Sequence, residues 1–94
     1  MDPSNSPGVA ADATRDAIVE WCRQFLAERL AIPVEQVPTG AGLDLLGVDS
    51  VMAAALLIEL EDRFRVDVPP EALYEDPTID AIADLAAAEL DRSG

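Results

Sequence analysis

Apolar residues recur at helical spacing in three stretches of the chain, residues 12–31, 50–65 and 79 to about 91. Side chains three and four positions apart share one face of a helix, so each stretch can bury an apolar stripe. Prolines and glycines crowd the segments between these stretches, and such residues end helices or begin turns. The pattern therefore predicts three main helices and an all-α fold.

A fourth, shorter helix is predicted inside the second proline-rich segment. Two prolines stop the preceding chain and suit a first helical turn, so PEALY (residues 70–74) is expected to form one turn with Leu73 and Tyr74 pointing inward. Either Asp76 or Thr78 can cap the last helix. The expected architecture is a small four-helix bundle: three main helices, one short helix and a long loop between helices one and two.

Each main helix has a stripe of apolar residues that we expect in the core. The stripes are Ile18 or Val19, Cys22, Phe25 or Leu26 and Leu30 in the first helix, Ala53, Leu56, Leu57, Leu60 and Phe64 in the second, and Ile79, Ile82, Ala83, Ala86 and Leu90 in the last. The folded domain is predicted to span residues 12–91. A flexible lead-in over residues 1–11 precedes it, and a tail over residues 92–94 follows it.

Residues 32–48 form a long segment without a helical period, and they include two prolines and three glycines. Loops of this length are uncommon in compact domains and are often functional. Apolar side chains along the segment can attach it to the bundle, so we expect an ordered loop. These side chains are Ile32, Val37, Leu43, Leu45 and Leu46.

The charge of the chain is strongly negative. It has 19 Asp and Glu residues, six Lys and Arg residues and no histidine, which gives a formal net charge of −13. Such a surface repels nucleic acid and anionic membranes, and it favours a partner with a basic docking patch. The longest apolar run, VMAAALLI (residues 51–58), is far shorter than the roughly 18–20 residues that span a bilayer. We expect no nucleic-acid or membrane partner and, because no signal peptide is visible, a cytoplasmic location.

Missing residue types exclude several kinds of chemistry. Without histidine the chain cannot form a Ser-His-Asp triad or a histidine metal site. Cys22 is the only cysteine, so it can form no disulfide within the chain, and its position in a helical stripe favours a buried thiol. No pair of carboxylates stands out for acid–base catalysis. Carboxylates alone could still perform acid–base chemistry, so the missing residue types leave an enzyme open, but we expect no metal site.

The second predicted helix is apolar on two sides. Val51, Ala54 and Ile58 lie opposite the core stripe, with Glu61 and Asp62 beside them. Such a helix is either buried all round or leaves an apolar strip in water next to the acids. The second arrangement suits a partner surface, although each acid alone is equally consistent with a solvated helix face.

The start of this helix, LGVDSV (residues 46–51), places an aspartate and a serine before an apolar run. Taken alone, the pair can be a plain helix cap, or it can display Ser50 for modification. With the long loop before it and DPTIDAIADLA (residues 76–86) after it, the chain resembles the acyl carrier protein family over about residues 15–91. The resemblance makes a modified serine the favoured interpretation.

In that family the matching serine carries a 4′-phosphopantetheine arm, which a separate phosphopantetheinyl transferase adds from coenzyme A. The resemblance implies attachment at Ser50, with Gly47 and Asp49 supporting the motif; the matching aspartate helps the transferase hold its metal ion. The arm's thiol holds the acyl chain as a thioester, and the carrier itself catalyses nothing. The residues that match the partner-facing surface of the family are Val51, Ala54, Ile58, Glu59, Glu61 and Asp62.

Details of the motifs favour a carrier of polyketide biosynthesis, which is either a discrete protein or a domain of a larger synthase. The expected partners of the carrier are an acyltransferase, a ketosynthase or other synthase enzymes. L-G-V-D-S and E-D-P-T-I resemble polyketide carriers more than those of primary fatty-acid synthesis. Peptide carriers more often have a second glycine where Val48 stands, but fatty-acid and aminoacyl or peptidyl carriers remain alternatives. Val51 replaces the usual leucine and Ala55 a frequent acid, which can alter partner choice. We expect the protein to be a monomer. The alternative from a different functional class is an acidic helical adaptor whose Ser50 is not modified.

Overall fold

The computed structural model describes the backbone of residues 7–93 and the side chains of residues 14–90. Its four α-helices are α1 (Pro7–Leu30), α2 (Ser50–Phe64), α3 (Ala72–Glu75) and α4 (Ile79–Ser93). Two short 3₁₀ turns, Val34–Gln36 and Leu43–Leu46, lie in the loop between α1 and α2, and no strand occurs in the described residues. The predicted all-α fold, with three main helices and one short helix, is confirmed.

The first and last helices extend beyond their predicted limits. α1 begins at Pro7 rather than at residue 12, because the fixed φ and the missing N–H of proline suit the first helical turn. α4 runs to Ser93 rather than to residue 91. Those parts of the predicted lead-in and tail that the structure describes are therefore helical, whereas residues 1–6 and Gly94 lie outside the described residues.

The core forms where α1 packs along α4 and against α2. Its most deeply buried side chains are Ile18, Cys22, Leu26, Val37, Leu56, Leu60, Val68, Ile79 and Ile82. Ile18 and Leu26 are fully buried, whereas Val19 and Phe25 are only partly buried, which settles the two alternatives in the first helix. The predicted stripes of α2 and α4 are confirmed, with the last member of each partly buried.

The segment between α2 and α4 corrects one prediction and settles another. Ala72 is buried and Leu73 is partly buried, but Tyr74 is 86% exposed instead of pointing inward. Successive helical residues are about 100° apart, so Tyr74 lies about 200° around the helix from Ala72 and faces away from the core. At the start of α4, the Thr78 Oγ1 accepts a hydrogen bond from a backbone N–H of the first turn (3.1 Å), so Thr78 rather than Asp76 is the side-chain cap.

Hydrogen bonds attach the long loop to the rest of the domain. The Arg23 guanidinium on α1 donates to the carbonyl oxygens of Val34 (2.9 Å) and Val37 (3.1 Å). The Leu43 N–H donates to the carbonyl oxygen of Pro77 (2.8 Å), just before α4. The side chains of Val37 and Leu43 are also buried. The loop is therefore held from both sides, as predicted, and it delivers the chain to the start of α2 in a defined position.

One apolar side chain of the loop does not help to attach it. Leu45 is 81% exposed, which contradicts the prediction for this residue. A 3₁₀ turn has three residues per turn, so Leu45 lies about 240° around the turn from the buried Leu43, while Leu46 returns to the same side as Leu43. Leu46 is accordingly packed against the core, and Leu45 faces solvent.

Candidate functional site

The 3₁₀ turn at Leu43–Leu46 leads directly into α2 through Gly47. The backbone of Gly47 is left-handed (φ +92°, ψ 15°), a conformation that strains residues with a side chain. The Gly47 N–H donates to the carbonyl oxygen of Asp44 (3.2 Å), and the Val48 N–H donates to that of Leu43 (3.0 Å), which closes the turn. Gly47 therefore allows the reversal that places the next residues at the start of α2.

Asp49 and Ser50 have different roles at this helix start. The Asp49 Oδ1 accepts a hydrogen bond from the Met52 N–H (2.8 Å), and the Asp49 carbonyl oxygen accepts one from the Ala53 N–H (2.9 Å). Asp49 is therefore the helix cap. Ser50 is the first residue of α2 and is exposed, and its hydroxyl makes no hydrogen bond to the described residues. Because Asp49 performs the capping, the Ser50 hydroxyl is accessible to another molecule.

An open groove of about 460 Å³ lies beside Ser50. This volume is within the range of about 300–1,000 Å³ that is typical of small-molecule sites. Its polar lining residues are Asp44, Asp49 and Ser50, and its apolar lining residues are Leu43, Val48, Ala53, Ala54, Pro70, Leu73, Tyr74 and Pro77. No local sequence pattern predicted the groove, because its walls come from the turn before α2, from α2 itself and from the segment around α3.

The outer face of α2 carries an apolar strip in water. Val51 is 77% exposed and Ile58 is 63% exposed, and Ala54 is exposed between them. Glu59 and Asp62 are exposed on the same helix. Of the two arrangements open to this helix, the structure therefore has the exposed strip rather than burial on all sides.

Glu61 differs from the other acids of α2. It is half-buried, and its Oε2 accepts a hydrogen bond from the N–H of Val68, whose own side chain is buried. The contact ties the end of α2 to the segment that follows it. The freely exposed acids of this helix are therefore Glu59 and Asp62.

The local charge around the site is negative. Residues 30–62 contain six acidic residues and no lysine or arginine. None of the described helices is both long and apolar enough to cross a membrane. An apolar strip on the same helix face as Glu59 and Asp62 is chemically complementary to a protein surface that combines apolar and basic side chains.

Cys22 lies at the centre of the core on α1. Burial raises the pKa of its thiol to about 12, so the thiol stays protonated at neutral pH. The predicted buried thiol is confirmed. Since Cys22 is the only cysteine, the protein part of the molecule offers no reactive thiol at neutral pH while it is folded.

Comparison with known proteins identifies relatives of this domain. The family model described as "Phosphopantetheine attachment site" matches residues 20–86, more than half of the chain. The chain is 34% identical over 82 residues to 5-methyl-1-naphthoate synthase of Streptomyces sahachiroi, 37% over 81 residues to polyketide synthase PksM of Bacillus subtilis, and 41% over 63 residues to 5-methylorsellinic acid synthase of Aspergillus terreus. These matches cover 87%, 84% and 67% of this chain but only 5%, 2% and 2% of the relatives, so the chain spans a small part of their length.

Fold and site together define a small helical domain that displays one serine at the start of a capped helix. Domains of this kind are non-catalytic carriers. The chain belongs to the acyl carrier protein family, whose cofactor is covalently attached 4′-phosphopantetheine, and it is similar to carrier domains of polyketide synthases.

The residues at the start of α2 fit such a group. The first backbone N–H groups of a helix lack partners inside the helix, and the helix dipole adds partial positive charge there. A phosphodiester on the exposed hydroxyl of Ser50 would lie in this favourable field, with the groove next to it. The carboxylate of the neighbouring Asp49, which accepts a hydrogen bond from the Met52 N–H, adds some repulsion.

We expect the Asp49→Ala variant to lose about 0.5–2 kcal/mol of unfolding free energy, because the Met52 N–H loses its acceptor. The Asp49→Ser variant can accept the same hydrogen bond and should recover most of that loss. Urea denaturation of the three proteins measures the difference. No loss in Asp49→Ala would show that this side chain does not stabilise α2. Equal losses in both variants would show that the hydrogen bond from the Met52 N–H is not the source of the stabilisation.

Proposed function

We propose that the Ser50 hydroxyl carries the 4′-phosphopantetheine arm. The arm's thiol then holds acyl or polyketide intermediates as thioesters, and the domain delivers them to partner enzymes. The observation that carries the proposal is the position of Ser50: it is exposed, it is the first residue of α2, and it lies within the family match. Its supporting residues are Gly47, which reverses the chain before it, and Asp49, which caps the helix.

Attachment of the arm requires a separate enzyme that supplies the base. The Ser50 oxygen bonds to the phosphorus adjoining pantetheine in coenzyme A, the hydroxyl proton leaves, and the adenosine bisphosphate part is released. The chain has no histidine, and the neighbouring carboxylate of Asp49 is engaged in capping through its Oδ1. A phosphopantetheinyl transferase would therefore activate the hydroxyl, and the second oxygen of Asp49 is available to the metal ion of that transferase.

The names of the relatives favour a polyketide cargo. One relative is named as a polyketide synthase, and two are named for aromatic acids, 5-methyl-1-naphthoate and 5-methylorsellinic acid. We infer a cargo that belongs to polyketide biosynthesis and partners such as a ketosynthase or an acyltransferase. Fatty-acid and aminoacyl or peptidyl carriers are alternatives within the same class.

The strip on α2 is our proposed docking surface for these enzymes. The exposed side chains of Val51, Ala54 and Ile58 would seat an apolar patch of the partner, and Glu59 and Asp62 would pair with its basic residues. Glu61 contributes mainly by holding the end of α2 in place. We further propose that the domain acts as a monomer, since each delivery needs one exposed serine and one docking surface. We also propose a cytoplasmic location.

Incubation with coenzyme A and a phosphopantetheinyl transferase of broad specificity tests the carrier role. We expect the intact mass to rise by one phosphopantetheine group. An acidic helical adaptor, the alternative of a different class, would keep its mass and would still bind its partner. An unchanged mass under conditions that modify a known carrier would overturn the proposal.

Salt is expected to slow the encounter with the transferase. If Glu59 and Asp62 steer a basic partner, kcat/KM for arm attachment falls with added NaCl, because the screening length shrinks from about 30 Å at 0.01 M to about 8 Å at 0.15 M. The Glu59→Gln/Asp62→Asn variant should react more slowly at low salt and respond less to NaCl. Asp16→Asn/Glu28→Gln, which removes two exposed acids from α1, is the matched control. Equal salt dependence of the wild type and the α2 variant would remove the steering role of these acids and leave the carrier role intact.

A further inference from the structure

The groove beside Ser50 includes an exposed aromatic ring whose role the carrier function leaves open. Ser50 and Tyr74 line the same groove, although they are 24 positions apart in the sequence. A group tethered to the Ser50 hydroxyl therefore has the groove, and the ring at its edge, within immediate reach. Continuity with the attachment site makes the tethered cargo the natural occupant of this groove.

The backbone beneath Tyr74 is fixed even though its side chain is free. The Tyr74 N–H donates to the carbonyl oxygen of Glu71 (3.0 Å), and the Leu73 N–H donates to that of Pro70 (3.0 Å). Ala72, between them, is buried against the core. α3 thus presents the ring of Tyr74 at the groove while leaving 86% of the residue exposed. A large aromatic side chain in such a position has a face available for stacking.

The remaining lining determines which cargo can be held. Near Tyr74 the groove is lined by Pro70, Leu73 and Pro77, which offer apolar surfaces and no side-chain donor or acceptor. Glu71 and Glu75 are exposed on either side of this part of the chain, so an anionic cargo would meet like charge. These properties favour an uncharged, apolar group over a carboxylate.

We propose that Tyr74 is a specificity-determining residue of the carrier, whose ring stacks on an aromatic ring at the end of the arm and holds it in the groove in preference to a saturated ring of the same size. This inference rests on the proposed attachment of the arm at Ser50. Aromatic pairs gain stability beyond the apolar area they bury. That gain corresponds to an approximately two- to twelve-fold greater ratio of sheltered to exposed cargo for an aromatic ring.

A comparison of two matched cargoes tests the proposal. A transferase of broad specificity loads the protein from benzoyl-CoA or from cyclohexanecarbonyl-CoA, which differ in aromaticity and hardly in size. Intact mass first establishes loading at one arm per chain. Hydroxylamine then cleaves the thioester. The protection of each cargo is the cleavage rate of the same acyl-CoA free in solution divided by the cleavage rate of the loaded protein.

Three variants complete the test. Tyr74→Leu removes the aromatic face, Tyr74→Phe keeps it, and Leu85→Ala truncates an exposed side chain of α4 outside the groove. The protection minus one equals the ratio of sheltered to exposed cargo, and we expect this ratio to be about two- to twelve-fold greater for the benzoyl than for the cyclohexanecarbonyl group in the wild type, in Tyr74→Phe and in Leu85→Ala. In Tyr74→Leu the two cargoes should be protected equally.

The proposal is overturned if the wild type protects the two cargoes equally, if it protects neither, or if Tyr74→Leu keeps the preference for the aromatic cargo. Each of these outcomes is seen in protein that has already gained the arm and its cargo, so the carrier role survives them. Failure to load any cargo appears earlier, as an unchanged mass, and would instead remove the proposed function. Because Tyr74 is almost fully exposed, its replacement should leave the circular dichroism spectrum and the unfolding midpoint unchanged, which checks that each variant is folded.

Discussion

Replacing Ser50 with alanine should abolish the gain of phosphopantetheine completely, because the substitution removes the only hydroxyl in the first turn of α2. No other atom there can form the same phosphodiester. Intact mass spectrometry after incubation with transferase and coenzyme A measures the loss. Ser93→Ala, which changes the serine at the end of α4, is the matched control and should be modified as fully as the wild type.

The Ser50→Ala variant should remain folded. Ser50 is exposed, makes no hydrogen bond to the described residues through its hydroxyl, and leaves the capping of α2 to Asp49. We expect its unfolding free energy to lie within about 0.5 kcal/mol of the wild type, as for other exposed substitutions. A folded Ser50→Ala protein that still gains one arm would place the attachment on another residue.

The largest expected effect on stability comes from Leu56 on α2. Its side chain is fully buried in the core, and Leu56→Ala would leave a cavity that costs about 2–5 kcal/mol. A 94-residue domain has a total unfolding free energy of about 5–14 kcal/mol. The variant would therefore lose a large part of its stability. Urea denaturation, followed by circular dichroism, gives the difference.

The same substitution at an exposed leucine is the control for that measurement. Leu45 is 81% exposed, so Leu45→Ala should change the unfolding free energy by no more than about 0.5 kcal/mol. Comparable losses in Leu45→Ala and Leu56→Ala would contradict the burial pattern described for these two leucines.

The long helices could be predicted from the sequence because each contains several turns. Over such a length, the apolar period of α2 and α4 identifies one face with little ambiguity, and the buried faces match the prediction. The choice between Ile18 and Val19 stayed open, since neighbouring residues differ by only about 100° in direction. Only the packing of α1 against α4 and α2 settled which residue lies at the centre.

The short elements could not be predicted in the same way. A single turn offers too few residues to define a face, so the inward directions predicted for Leu45 and Tyr74 were wrong. The short helix around Tyr74 was predicted, whereas the 3₁₀ turn around Leu45 lies in a segment predicted only as an ordered loop. The structural role of Glu61 was also missed, because its hydrogen bond joins the end of α2 to a backbone N–H seven residues later, in a segment without a regular pattern.

One part of the site could be predicted from the sequence and another part could not. Gly47, Asp49 and Ser50 are adjacent in sequence, so their motif was visible before the structure, and the left-handed glycine and the capping bond explain it. The groove was not visible, because Ser50, Leu43 and Tyr74 meet only when the loop, α2 and α3 are packed together. A local motif identifies where a group is attached; the tertiary fold determines what that group meets.

The most direct test of the account is to locate the arm within the protein. Protein treated with transferase and coenzyme A is digested, and tandem mass spectrometry identifies the residue that carries the added mass. We expect one phosphopantetheine group per chain, attached to Ser50. An arm on any other residue, or no arm on a protein that is folded and fully exposed to an active transferase, would contradict it.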